Sequence, residues 1–389
     1  MILKVTSIYS RAIISKLNGL HNIEKRERMN MEMNQKEKKK LIIYIVIAYG
    51  ITYLMGVLMW YGYTKGYDLG LFGTTQMMYP AAGIILALLV TNKGEKKLPV
   101  GFYAVTLIIT IACLVLAIMS VVNPCDNFEL YGGITIPIYE AISQYCLIFG
   151  GIAALICLAI AGKAKRKNAG LSWHNWKQTI LVIVVFIAIY FGRTVASTII
   201  SGFTEGVGLQ YFKEWLQIFK NPYIWVSIIT LPINAILVFL PFFGEEYGWR
   251  YYLQPVLQKK FGMRAGVIVL GIVWGLWHAP LDFFFYTTTT GVQMLISQII
   301  TCVFIGIFFA YAYMKTQNIW SVVFLHFLNN NLIPIITGTL SADVIENQVI
   351  AWSDIPVLFV LNGLCFGFFL LADVFKKKED EQVSNSTAA

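Results

Sequence analysis

Between Leu41 and Phe375 the chain carries only 31 charged residues in 335 positions. A water-solvated domain needs about 25% charge on average, so a stretch this long and this poor in charge has to be solvated by something other than water. The remaining charges sit at the ends. Residues 1–40 hold ten Lys/Arg and four Glu, and six more follow Phe375. With 57% apolar and 15% aromatic residues overall, the sequence predicts an all-α polytopic membrane protein.

A helix crossing about 30 Å of hydrocarbon needs about 20 apolar residues. Cutting the sequence at its polar breaks gives about ten such spans, near 41–62, 70–91, 100–122, 138–162, 178–201, 222–245, 264–285, 292–314, 318–337 and 351–375. The sixth is irregular: Pro232, Pro241 and Gly244 interrupt it, and helical periodicity resumes through Trp249 to Gln258. The chain therefore divides into a basic leader at 1–40, N-terminal spans over 41–201, a core over 222–337, a final span at 351–375 and a polar tail at 376–389.

Orientation follows from Lys and Arg in the short loops. One side collects Lys36 to Lys40, Lys93/Lys96/Lys97, Lys163 to Lys167, Lys259/Lys260/Arg264, Lys315 and Lys376 to Lys378. The other side has Lys65, Lys213 and Lys220 against acids that include Asp126, Glu140, Glu205, Asp282 and Asp343. Both termini and the basic leader are expected in the cytoplasm. The formal charge of +9 is then a topology signal that also suits anionic lipid, and no nucleic-acid partner is expected. The leader reads either as an amphipathic helix on the membrane or as an unstructured arm. Six cysteines, mostly inside spans and without a Cys-x-x-Cys spacing, argue against a zinc ribbon or a disulfide framework.

In such a chain the informative residues are the ionisable ones inside spans, each costing about 2.5–3.5 kcal/mol near the bilayer centre even on the most lenient scale. They fall in three stretches: Glu245-Glu246-Tyr247-Gly248-Trp249-Arg250, Trp274 to His278, and His326 to Asn330. Glu245 is 14 residues before Lys259 and His278 is 14 after Arg264, which puts each about 21 Å from its basic anchor at 1.5 Å per residue. His326 and Asn330 lie 11 and 15 residues past Lys315, at about 16 to 22 Å. Three helices thus bring polar groups to one level.

Glu246 and Arg250 are i,i+4 neighbours suited to an ion pair, and Glu245 points about 100° away, free for chemistry. His326 and Asn330 share the same spacing. A desolvated carboxylate beside an imidazole suits water activation, and an imidazole N–H with an amide N–H suits an oxyanion. A lone intramembrane His or Asn is more often interhelical glue. Arg193, without such company, is expected to snorkel or to pair with a carboxylate, and Trp and Tyr near span ends to act as interface anchors.

Glu245-Glu246-x-x-x-Arg250, His278 and His326-x-x-x-Asn330 resemble the three motifs of the CAAX-prenyl-protease and bacteriocin-processing family, also called the abortive-infection family, over roughly Pro222–Thr337. That family carries Glu-Glu-x-x-x-Arg, Phe-x-x-x-His and His-x-x-x-Asn or Asp. Trp274 stands where it usually has Phe, a change expected to affect packing more than chemistry. The resemblance implies an intramembrane endopeptidase in which Glu245 with His278 activates water, His326 and Asn330 stabilise the oxyanion, and Glu246 and Arg250 hold the site in shape.

The implied substrate is a hydrophobic or lipid-anchored peptide reached from the cytoplasm or inner leaflet: a CAAX tail, a bacteriocin or pheromone precursor, or a target of self-immunity. The family is long labelled as metalloproteases. No cofactor is expected to be required, the alternative being zinc or another divalent metal on Glu245, His278 and His326. Two other function classes fit intramembrane ionisable groups: a transporter or channel with a buried ion site, and a catalytically inactive peptide-binding immunity protein.

Overall fold

The computed structural model describes residues 35–92, 94–125, 127–129, 135–339 and 345–376. Most of the basic leader, Asp126, Asp343 and the tail from Lys377 lie outside the described residues. With no water to satisfy the backbone in hydrocarbon, an apolar chain must close its hydrogen bonds within helices, and helices dominate here.

Nine helices among the described residues are long and apolar enough to cross a membrane. They are α1 (Gln35–Lys65), α2 (Gly70–Asn92), α3 (Val100–Val122), α4 (Ile138–Ile160), α6 (Trp176–Thr204), α10 (Met263–Phe284), α11 (Gly291–Thr316), α12 (Ile319–Thr337) and α13 (Asp354–Leu371). A tenth span is a bent pair, α8 (Pro222–Leu237) and α9 (Leu240–Phe261), meeting at 66°. Short helices α5 (Lys163–Asn168) and α7 (Gln210–Gln217) lie in connections. The protein is therefore a multi-pass membrane protein. Each expected span has its counterpart, and the first begins within the basic segment, at Gln35. One element was not anticipated: strands Asn127–Glu129 and Thr135–Pro137 pair antiparallel between α3 and α4.

Where the sixth span breaks is informative. Pro232 lies inside α8 and Pro241 falls in the first turn of α9, where a missing N–H costs nothing, so the chain turns between them at Val238–Phe239. Gly244 does not break the helix. A Cβ there would collide with the Met77 carbonyl, and one at Gly248 would collide with Pro80. These two glycines, four residues apart, let α9 lie against the backbone of the Met77–Met78 turn that interrupts α2. Every residue from Leu240 to Arg250 is buried, which makes α9 the axis of the bundle. Outward-facing Ile108, Ile160, Leu181, Ile229 and Leu364 are well exposed and form the apolar surface that lipid would cover.

Polar anchors set the register of the helices around this axis. Asn318 caps α12: its Oδ1 accepts from the Trp320 N–H at 3.1 Å, and its Nδ2 donates to the His174 carbonyl at 2.9 Å. Residues Val46–Ile51 of α1 are π-helical, and the Ala48 carbonyl in that wide turn accepts from Trp277 Nε1 at 2.8 Å, tying α1 to α10. Arg193 pairs with an amide rather than a carboxylate: Nη1 donates to Asn362 Oδ1 at 2.8 Å, and the guanidinium lies 5.1 Å over the Tyr190 ring.

Candidate active site

α9 brings two adjacent glutamates to the centre of the bundle, at the point where its α-helical turns widen into the π-helical segment Tyr247–Leu253. Glu246 Oε1 accepts from His326 Nδ1 at 2.9 Å, and its Oε2 lies 3.0 Å from Arg250 Nε. The second contact is one of charge, since the guanidinium N–H groups do not align on the carboxylate. The guanidinium is held instead between aromatic faces, 4.9 Å over Trp274 and 5.6 Å over Phe309. The i,i+4 pairing expected for Glu246 and Arg250 is present, and Glu246 also orients the histidine.

Glu245 is less free than its angular position suggested. Its Oε2 accepts two indole N–H groups, from Trp249 at 3.0 Å and from Trp274 at 2.6 Å. Its Oε1 lies 3.9 Å from His326 Nε2, too far for a direct hydrogen bond. Neighbouring glutamates thus reach opposite nitrogens of one imidazole. Phe242, Trp274 and Phe309 surround that ring, with centroids at 5.5, 5.6 and 5.9 Å. Because a carboxylate only accepts, Nδ1 of His326 carries a proton, and Nε2 is the nitrogen turned toward Glu245.

His278 ends the regular part of α10, and its Nδ1 lies 2.9 Å from the Trp274 carbonyl. A carbonyl cannot donate, so Nδ1–H does, leaving the lone pair of the neutral ring on Nε2. The Cys302 sulfur is 4.0 Å from the same Nδ1. Trp274 is therefore more than packing. Its indole donates to Glu245, its backbone carbonyl holds His278, and its ring lies against both His326 and Arg250.

Asn330 stands one turn beyond His326 on α12 and is half-buried, its Oδ1 accepting from Asn329 Nδ2 at 3.0 Å. No hydrogen bond joins it to Glu245 or His326 among the described residues, and its own Nδ2 donors are left for another acceptor. Glu245, Glu246, Arg250, His278 and His326 are all under 8% exposed, so the centre is closed.

Trp249 was missed as a site residue although it lies four positions after Glu245, the same spacing that singled out Arg250. Asp282 was read as a loop acid. It is fully buried in α10 one turn past His278, and neither carboxylate oxygen has a hydrogen-bond partner among the described residues. Among the described residues no three His, Cys, Asp or Glu side chains come close enough together to hold a metal ion, and one oxygen of Glu245 is already engaged by two indoles. As arranged, Glu245, His278 and His326 do not fit a zinc site.

Residues 224–332 match the family model described as type II CAAX prenyl endopeptidase Rce1-like. Over 53 residues the chain is 40% identical to CAAX prenyl protease 2 of Methanococcus maripaludis, an alignment covering 14% of this chain. The chain matches about a fifth of the length of that relative, 19% of it. No solved structure matches. Both glutamates, the two tryptophans that hold Glu245 and both intramembrane histidines fall inside the matched segment. Over that segment, the chain is similar to the Rce1-like family of type II CAAX prenyl endopeptidases.

Proposed function

We propose that this protein is an intramembrane endopeptidase that hydrolyses a hydrophobic or lipid-anchored peptide with water activated by Glu245. The observation that carries the proposal is the pair of glutamates on opposite nitrogens of His326 in a closed, aromatic-lined centre. A water 2.8 Å from both Glu245 Oε1 and His326 Nε2 would subtend an angle of about 90° across their 3.9 Å gap, so one molecule can donate to both.

Trp249 and Trp274 hold Oε2, which leaves Oε1 aimed at that water. As the water oxygen attacks the scissile carbonyl, its proton passes to Glu245 and is shared with His326, whose Nδ1–H stays on Glu246. Once the shared proton sits on His326 Nε2, that N–H and the Asn330 amide stabilise the tetrahedral oxyanion. Collapse breaks the C–N bond, and the stored proton goes to the leaving amine. His278 keeps an Nε2 lone pair to orient the water or a peptide N–H. No step is routed through a metal.

On this reading substrate reaches the closed centre from the lysine-rich face, which the positive-inside rule assigns to the cytoplasm together with both termini. A prenylated CAAX tail is the first substrate class to test, followed by bacteriocin or pheromone precursors. The experiment compares wild type, Glu245→Ala and His326→Ala in liposomes, using prenylated and unprenylated C-terminal peptides. Wild type should cleave and both folded variants should lose at least about a hundredfold in rate. Normal processing by both variants would refute the assignment, and ion movement by a wild type that never cleaves would favour a transporter.

A further inference from the structure

A cavity of about 600 Å³ opens away from the catalytic centre, between α4, α5, α8 and α12. This is within the roughly 300–1,000 Å³ typical of ligand pockets. Its walls are apolar, with Leu158, Ala235 and Phe239 on one side and Trp320, Val323 and Phe324 on the other. Lys163, Arg166 and Lys167 of α5 stand on its rim, and no acid lines it. No ion pair occupies these three cations among the described residues. A basic loop at a span end is ordinary topology, but here it borders an apolar hollow between membrane helices.

We propose that this cavity binds one anionic phospholipid, its phosphate on Lys163, Arg166 and Lys167 and an acyl chain in the hollow. A small soluble anion would use the rim and leave the hollow unfilled, and a neutral lipid would fill the hollow and leave three cations unanswered. The combination selects an anionic headgroup that carries a chain. Phe239 lies at the α8–α9 bend, and Val323 is three residues before His326. The occupant would therefore brace the two helices that carry Glu245 and His326.

The test measures the thermal unfolding midpoint of the full-length protein in neutral detergent. Phosphatidylglycerol, phosphatidylcholine or inorganic phosphate is titrated in, and bound lipid is counted by native mass spectrometry. Phosphatidylglycerol should raise the midpoint at concentrations at least about tenfold below phosphatidylcholine. Combined Lys163→Gln, Arg166→Gln and Lys167→Gln should erase that preference. Ala235→Phe should weaken retention of either lipid by filling the hollow, and it tests the site even if the triple variant fails to fold. Lys259→Gln with Lys260→Gln, at another basic helix end, should leave the preference intact. Equal responses to the two lipids, loss of preference in the Lys259/Lys260 control, or the same shift with inorganic phosphate alone would overturn the proposal.

Discussion

Replacing Trp274 by Phe removes one N–H donor and leaves an aromatic ring in place. The lost contact is the 2.6 Å bond to Glu245 Oε2, the shorter of the two indole bonds on that oxygen. A hydrogen bond to a charged group contributes about 1.5–3 kcal/mol. If that contribution serves to hold the base on its water in the transition state, kcat/KM falls about ten- to a hundredfold. The Trp249 indole still holds Oε2, so the loss is partial. The smaller ring also leaves a gap beside Arg250 and His326, for which about 1–2 kcal/mol of stability should be lost. Initial rates on a quenched fluorescent peptide separate the effects: kcat should carry the loss while KM stays within about twofold. Trp249→Phe, which deletes the 3.0 Å bond, should cost less, and the double variant should cost more than the sum of the two because the carboxylate then has no donor on Oε2. Wild-type kcat/KM in a well-folded Trp274→Phe protein would refute the view that the indole positions the base.

Glu246→Gln leaves an acceptor for His326 Nδ1 but strips the buried Arg250 guanidinium of its counter-charge, so stability should drop by about 3–5 kcal/mol, read from chemical unfolding in detergent. Gly248→Ala drives a Cβ into Pro80, and the forced retreat of α9 from α2 should cost about 1–3 kcal/mol and lower the thermal midpoint. Exhaustive chelation should leave the cleavage rate within about twofold of untreated protein, since none of the proposed proton steps involves a metal; loss of activity restored by zinc would contradict this.

Much of the architecture was legible because lipid imposes a simple code. Span lengths and loop charges located every membrane helix, and Pro232 with Pro241 announced the irregular tenth. The place of the bend was not legible, because a proline at the start of a helix and one inside it look alike until the packing of α9 is known. Counting residues from basic anchors put Glu245 and His326 at one level, and they do meet. Asn330 was placed at that level too, yet it faces Asn329 in this closed arrangement. The two tryptophans were harder to read. Trp274 reads as a packing replacement for Phe and Trp249 as no site residue at all, and only the fold shows that both turn their N–H groups inward onto a carboxylate.

The 66° bend gives the two halves of one hydropathic segment opposite mutational tolerance. α8 presents Tyr223, Ile229, Ile233 and Ile236 outward and buries only Ile224 and Ala235, so most of its positions should accept any apolar side chain in a saturation scan. α9 touches neighbours on every side from Leu240 to Arg250, so the same scan should find scarcely a permissive position there. The span cut from the sequence, 222–245, runs straight through this bend. In a substitution map, the boundary between freedom and intolerance should fall at Val238–Phe239.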